Sequence, residues 1–139
     1  MIRVGVFGAA GRMGGTVCRA VHSHPGMALV AAVDPAAPGR ELSAVAGIAG
    51  TKLVVSEEAE ALLDGEADVA VDFTVAESAF KDTQWCIRHA MNAVVGTTGL
   101  GQDRIKQLED LVASEGNESN VFIAPNFAIG AVLMMQFSR

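Results

Sequence analysis

Short apolar runs rich in β-branched residues recur along the chain, at residues 2–7, 29–33, 53–56, 69–73, 93–95 and 121–123. Between them the hydrophobic positions fall three or four apart, over residues 13–23, 56–63, 76–89 and 102–114. Strand-length runs alternating with helical stretches predict βαβ units and a parallel sheet. Val69-Ala70-Val71 and Val121-Phe122-Ile123 are continuously apolar, as strands covered on both faces must be. The expectation is therefore an α/β fold: a doubly wound, mainly parallel sheet of about six strands with helices on both faces. His24-Pro25-Gly26, Asp34-Pro35 and Asp64-Gly65 mark joints between elements. Residues 35–50, rich in Ala, Gly and Pro without a clear period, read as a surface excursion with one helical turn. Residues 131–139 begin a helical pattern that stops without a Gly or Asn cap, so the chain is expected to end inside an element.

Composition narrows the function classes. At 139 residues the chain has the size of one domain, and with half its residues hydrophobic and 19% charged it is not a disordered or low-complexity sequence. Sixteen acidic against ten basic residues give a formal charge of −6, which disfavours nucleic acid and anionic membrane surfaces as partners. Glycines interrupt the apolar N-terminus, so it does not read as a signal peptide, and no run approaches the roughly 18 apolar residues that span a bilayer. Cys18 and Cys86 stand far apart without a CxxC or Cys/His cluster. They are expected to be reduced thiols of a cytoplasmic protein, with no metal site.

The most informative segment is Gly8-Ala9-Ala10-Gly11-Arg12-Met13-Gly14, a GxxGxxG loop between the first strand and the first helix. Glycine is needed where the chain turns sharply, where backbone approaches a pyrophosphate and where helix packs on strand, and the N–H groups of the new helix then bind the anion. Asp34 ends the second strand 20 residues after Gly14, where a carboxylate would accept the adenosine ribose hydroxyls. Three glycines alone could mark an ordinary turn. Strand, glycine loop, helix, strand and terminal acid in order point to a Rossmann-type dinucleotide site for NADH and/or NADPH. Arg12 is either a phosphate contact or a solvated residue at the helix start. Asp34 would repel a 2′-phosphate, so NADH is expected to bind at least as well as NADPH.

Ligands of open α/β sheets lie beyond the carboxyl ends of the strands. Three segments occupy that position: Asp72-Phe73-Thr74, Gly96-Thr97-Thr98-Gly99 and Ala124-Pro125-Asn126-Phe127. Phe73, Thr74, Gly96, Thr97, Thr98, Ala124, Pro125, Asn126 and Phe127 are accordingly candidate cofactor contacts. Each also has a structural reading: Asp72 or Thr74 could cap the next helix, Gly96 to Gly99 could be a plain turn, Asn126 could cap the last helix and Phe127 could be core. Trp85, Cys86 and Met91 are core candidates. His22, His24 and His89 sit near helix ends and read as structural residues. No catalytic acid, base or nucleophile is evident in this chain.

Taken together, these segments resemble the nucleotide-binding half of the dihydrodipicolinate (4-hydroxy-tetrahydrodipicolinate) reductase family of bacterial lysine and diaminopimelate synthesis. The likeness is carried by VGVFGAAGRMG at residues 4–14, VDFT at 71–74, VVGTTG at 94–99 and IAPNFAIG at 123–130. It implies an oxidoreductase that delivers hydride from NAD(P)H to a cyclic imine-type dicarboxylate. Gly8 to Met13 would hold the pyrophosphate and Asp34 the ribose. Gly96 to Thr98 and Ala124 to Phe127 would hold the nicotinamide, with Thr98 also touching substrate. Residues 1–130 would be the dinucleotide-binding domain and 131–139 the start of a helix leading to a substrate-binding domain. That domain's E-x-H-H-x-x-K and D-x-P-S-G-T motifs do not occur here, so this chain alone is expected to bind cofactor without turnover. The full-length family is expected to be a homotetramer and this chain a monomer. The alternatives are the cofactor domain of another amino-acid dehydrogenase and a non-catalytic nucleotide-sensing module.

Overall fold

The structure, a computed structural model, describes residues 1–128 together with 133, 134 and 136. Its framework is a five-stranded sheet of order β2-β1-β3-β4-β5, with every neighbouring pair parallel. The strands are β1 (Ile2–Phe7), β2 (Met27–Val33), β3 (Val69–Asp72), β4 (Asn92–Val95) and β5 (Val121–Ile123). From β1 the chain winds outward to β2, then returns to place β3 on the other side of β1. The order thus reverses between β1 and β3, and this is where an open α/β sheet forms its crevice.

Alternation along β1 explains how both faces are filled. Val4 and Val6 point to one face, where Cys18 and Val21 of α1 (Arg12–Ser23) and Leu42 and Ala46 of α2 (Leu42–Ala46) pack. Phe7 points to the other, with Leu62 of α3 (Ala61–Asp64) and Ala79 and Cys86 of α4 (Ala76–Arg88). Gly5 keeps that face flat: a β-carbon there would lie 2.6 Å from Leu62 Cγ. α5 (Gln102–Glu115) packs beside α4 and contributes Ile105 to the same layer. Trp85 meets Phe7 edge-on, and Cys86 and Met91 are buried as expected. Both cysteines are free, and burial pushes the Cys18 and Cys86 thiols up to about 11 and about 12.

The sheet has five strands where about six were expected. Residues 53–56 form no strand, because their backbone is shared between two partners. Ser56 donates to Ala32 and accepts from Asp34 alongside β2, whereas Val55 bonds with Gly39 and Arg40. Only isolated bridges, Val33 to Ser56 and Glu41 to Val54, remain. The helix expected over 56–63 shrinks to α3 because Ser56 accepts from the Glu58 N–H through Oγ, a local turn that competes with a helical start. The stretch 35–50 does contain one short helix, yet it is no mere surface excursion, since Ala37, Leu42, Ala46 and Ile48 are buried. Of the segment 131–139, residues 133, 134 and 136 are helical and the rest lies outside the described residues. No helix among the described residues is long and apolar enough to cross a membrane.

Candidate functional site

The glycine loop closes the crevice from the β1 side. Gly8 turns with φ +71°, a conformation open to glycine, and its N–H donates to Val33 at 2.8 Å. The Gly11 N–H returns to the Gly8 carbonyl at 2.9 Å. Gly14 packs so tightly on this turn that a β-carbon would overlap the Gly8 carbonyl. Helix α1 then starts with Gly11 as its cap, no capping side chain and no acidic residue in its first turn. The first N–H groups of a helix have no partner within it, so a start without a capping side chain is the arrangement that binds phosphate. Arg12 and Met13 are exposed at this start, whereas Ala9 is buried in the core and its N–H is taken by Val33.

Asp34 stands across from the loop at the end of β2. Its Oδ2 accepts from the Ala10 N–H and its Oδ1 from the Ala36 N–H, both at 2.9 Å. The carboxylate therefore braces the glycine loop as well as facing the cleft, a double role that its position in the sequence did not reveal. The cleft itself has a volume of about 720 Å³ and runs from Asp34 and Pro35 past Gly8 and Gly11 to Phe73 and Thr74.

The three far segments are knitted to one another. Asp72 Oδ1 accepts from both the N–H and the hydroxyl of Thr74 at 2.7 Å. The Thr74 carbonyl in turn accepts from the Thr97 hydroxyl at 2.8 Å, and the Gly96 N–H donates to the Asp72 carbonyl at 2.8 Å. Thr74 also packs on Gly8, where a β-carbon would come within 2.9 Å of its Cγ2. Neither Asp72 nor Thr74 caps α4, whose cap position is Val75 without a side-chain bond. Phe73 lies over Gly96 and 5.6 Å from the Phe127 ring, centroid to centroid. Ala124 is tied to Val95 through its N–H, Asn126 Oδ1 accepts from Ala128, and Pro125 and Thr98 are exposed beside this group. Gly96→Ala is expected to displace Phe73 and Phe127, because its β-carbon would overlap the Phe73 ring. Cofactor affinity should fall about tenfold with a smaller change in stability, measured by NADH titration beside thermal unfolding.

Glu57, Glu58, Ser78, Lys81 and Asp82 also line the cleft. Sequence reasoning missed them. Ser78 and Asp82 are one turn apart on α4, a spacing that places them on one face, but nothing in the sequence says that this face borders the strand ends. Among the described residues no group of three His, Cys, Asp or Glu side chains could hold a metal ion. A second groove, of about 510 Å³ between α5 and β5, is lined by side chains such as Ile105, Leu108, Val112 and Val121 and by no glycine turn.

A parallel sheet reversed at β1/β3, with a glycine turn, a bare helix start and a carboxylate around one cleft, defines a Rossmann-type α/β domain. Residues 2–127 match the family described as dihydrodipicolinate reductase, N-terminus. The chain belongs to this family, the dinucleotide-binding part of reductases that use NADH or NADPH. It is 38% identical over its whole length to the 4-hydroxy-tetrahydrodipicolinate reductase of Dictyoglomus turgidum, covering 51% of that protein. It is 42% identical to that of Cutibacterium acnes, covering 47%. Among solved structures, dipicolinate-bound dihydrodipicolinate reductase from Paenisporosarcina sp. TG-14 superposes with a TM-score of 0.79 at 34% identity, over 99% of this chain and 52% of the other. The NADP complex of aspartate semialdehyde dehydrogenase from Candida albicans (TM-score 0.66, 18% identity, covering 91% of this chain and 43% of that one) shares the fold. The chain spans about half the length of the curated relatives it matches.

Proposed function

We propose that this chain is the cofactor-holding domain of a 4-hydroxy-tetrahydrodipicolinate reductase acting in lysine and diaminopimelate synthesis. The observation that carries the reading is the cradle at the β1/β3 switch: Gly8 at positive φ, Gly14 packed on it, and a helix start with no capping side chain. Backbone can approach a pyrophosphate there as no side-chain-bearing loop would allow. When bound, the dihydronicotinamide supplies a hydride to a cyclic imine-type dicarboxylate.

The chain's own residues hold and orient. Gly8, Ala9, Ala10, Gly11, Arg12 and Met13 form the pyrophosphate loop, in which the buried Ala9 serves through backbone and packing. Asp34 accepts the ribose hydroxyls and disfavours a 2′-phosphate, so NADH binds at least as tightly as NADPH. Phe73, Thr74, Gly96, Thr97, Thr98, Ala124, Pro125, Asn126 and Phe127 border the nicotinamide, and Thr98, exposed at the rim, also meets substrate. Residues 1–130 form this domain, and residues 131–139 lead toward the part that binds substrate. The charge of −6 argues against nucleic acid or anionic membrane as partners, and the cytoplasm is the compartment that suits two free thiols. The complete reductase is a homotetramer, and these 139 residues by themselves are a monomer without turnover.

Titration of the purified chain by tryptophan quenching or calorimetry should give a micromolar Kd for NADH, with NADPH no tighter. Addition of the reductase substrate should produce negligible oxidation of NADH. Absence of binding at about 1 mM NADH, a far tighter NADPH complex, or turnover near that of a complete reductase would each overturn the corresponding part of the proposal.

A further inference from the structure

One buried group in the site has an oxygen without a donor. Asp72 is 3% exposed, and while its Oδ1 holds Thr74, its Oδ2 has no hydrogen-bond partner among the described residues. Native interiors rarely leave a carboxylate oxygen in that condition, because the group has lost water and gained nothing. Asp82 of α4 lies near enough to feel the Asp72 carboxylate, and it also lines the cleft. A carboxylate offers no donor to another carboxylate. One proton placed between them makes the O–H···O bond that Asp72 Oδ2 lacks.

We propose that Asp72 and Asp82 hold one proton between them, and that this proton positions the strand-end loops and sets how tightly the cleft takes an anionic dinucleotide. The inference rests on the cleft being the dinucleotide site. Burial first, then the charge of Asp72, push Asp82 up from 3.8 to about 7, with Lys81 opposing. Lys81 is itself paired with Glu77 at 3.2 Å, which leaves it little free to neutralise the two carboxylates. Of the other groups nearby, Cys86 on α4 stays a neutral thiol, and Asp34, Glu57 and Glu58 across the cleft have the same sign as the pair. Among the described residues no histidine lines the cleft.

At acidic to neutral pH the pair carries one negative charge and holds Asp72 in place. Asp72 fixes Thr74, and Thr74 packs on Gly8 and accepts from Thr97, so three strand ends keep their relative positions. As pH rises the proton leaves. A second negative charge then lies at the lining of the cleft, and the two carboxylates repel each other. Binding should weaken with rising pH, although NADH keeps a constant charge over this range.

The test is the Kd of the native chain for NADH between pH 6 and 8.5, alongside Asp82→Asn, whose amide donates permanently to Asp72. The native Kd should rise roughly three- to tenfold over that interval, and the variant should show no slope. In the cofactor-free native chain, carbon-13 spectra of labelled aspartates should show one carboxyl titrating within about a unit of pH 7, well above an ordinary aspartate. A flat native Kd, a slope that survives in Asp82→Asn, or all aspartates titrating below about pH 5 would overturn the inference. If NADH fails to bind at any pH, the dinucleotide reading falls and with it the affinity part of the inference. The carboxyl titration still decides the shared proton.

Discussion

Replacing Gly14 with alanine is expected to abolish measurable NADH binding and to lower the melting temperature by about 10 °C or more. The added methyl would overlap the Gly8 carbonyl, an atom of backbone that cannot rotate away as a side-chain tip can. Gly8 is fixed in turn by its N–H bond to Val33, so relief requires helix α1 to lift from β1 and the cradle to open. Overpacking of this kind costs about 3 kcal/mol or more, and a kilocalorie corresponds to roughly 3–5 °C in a domain of this size. Two neighbours provide a graded comparison. A β-carbon at Gly11 would stand 3.2 Å from the same oxygen and at Gly15 3.6 Å from the Ala9 carbonyl. Stability should therefore fall steeply for Gly14→Ala, modestly for Gly11→Ala and little for Gly15→Ala, as read by thermal unfolding. Equal losses at all three positions would contradict the packing argument.

Asp34→Ala should raise the Kd for NADH by about thirtyfold or more, because two functions are lost together. The variant removes the proposed acceptor for the ribose hydroxyls and leaves the Ala10 and Ala36 N–H groups without their partner. A charge-assisted bond contributes about 1.5–3 kcal/mol, so loss of the ribose contacts with loosening of the loop reaches this range. Binding of NADPH should suffer less, since the same change removes repulsion of the 2′-phosphate. The ratio of the two dissociation constants, measured by fluorescence titration on native and variant chains, tests this directly. Parallel losses for both cofactors would mean that Asp34 acts only by bracing the loop.

The elements that could be read from sequence are those whose local pattern and tertiary surroundings agree. Residues 2–7 are a run that only a central strand can bury, and the structure puts β1 there with Val4, Val6 and Phe7 enclosed. The glycine spacing was legible because close backbone packing excludes other residues, and Gly8 and Gly14 meet that requirement. Residues 53–56 looked equally strand-like. Pairing is a property of two segments, however, and the partner bonds of this one are divided between β2 and residues 39–42. Asp72 shows the same limit. As an acidic residue before a helix it resembled a cap, while the partner it actually holds is Thr74, and its charge acts on Asp82, a carboxyl of another element.

The sequence by itself determined the alternation of strands and helices, the position of the cradle, the acid at the end of β2 and the likeness to a reductase family. These depend on periodicity and on residue types that local backbone geometry demands. Only the tertiary structure decided the number of strands, the bracing of the glycine loop by Asp34 and the nearness of Asp72 to Asp82. Those contacts join residues from different elements. Their energies depend on distance, burial and the charge of neighbours that the winding of the sheet brings together, and none of these is a property of a local stretch of chain.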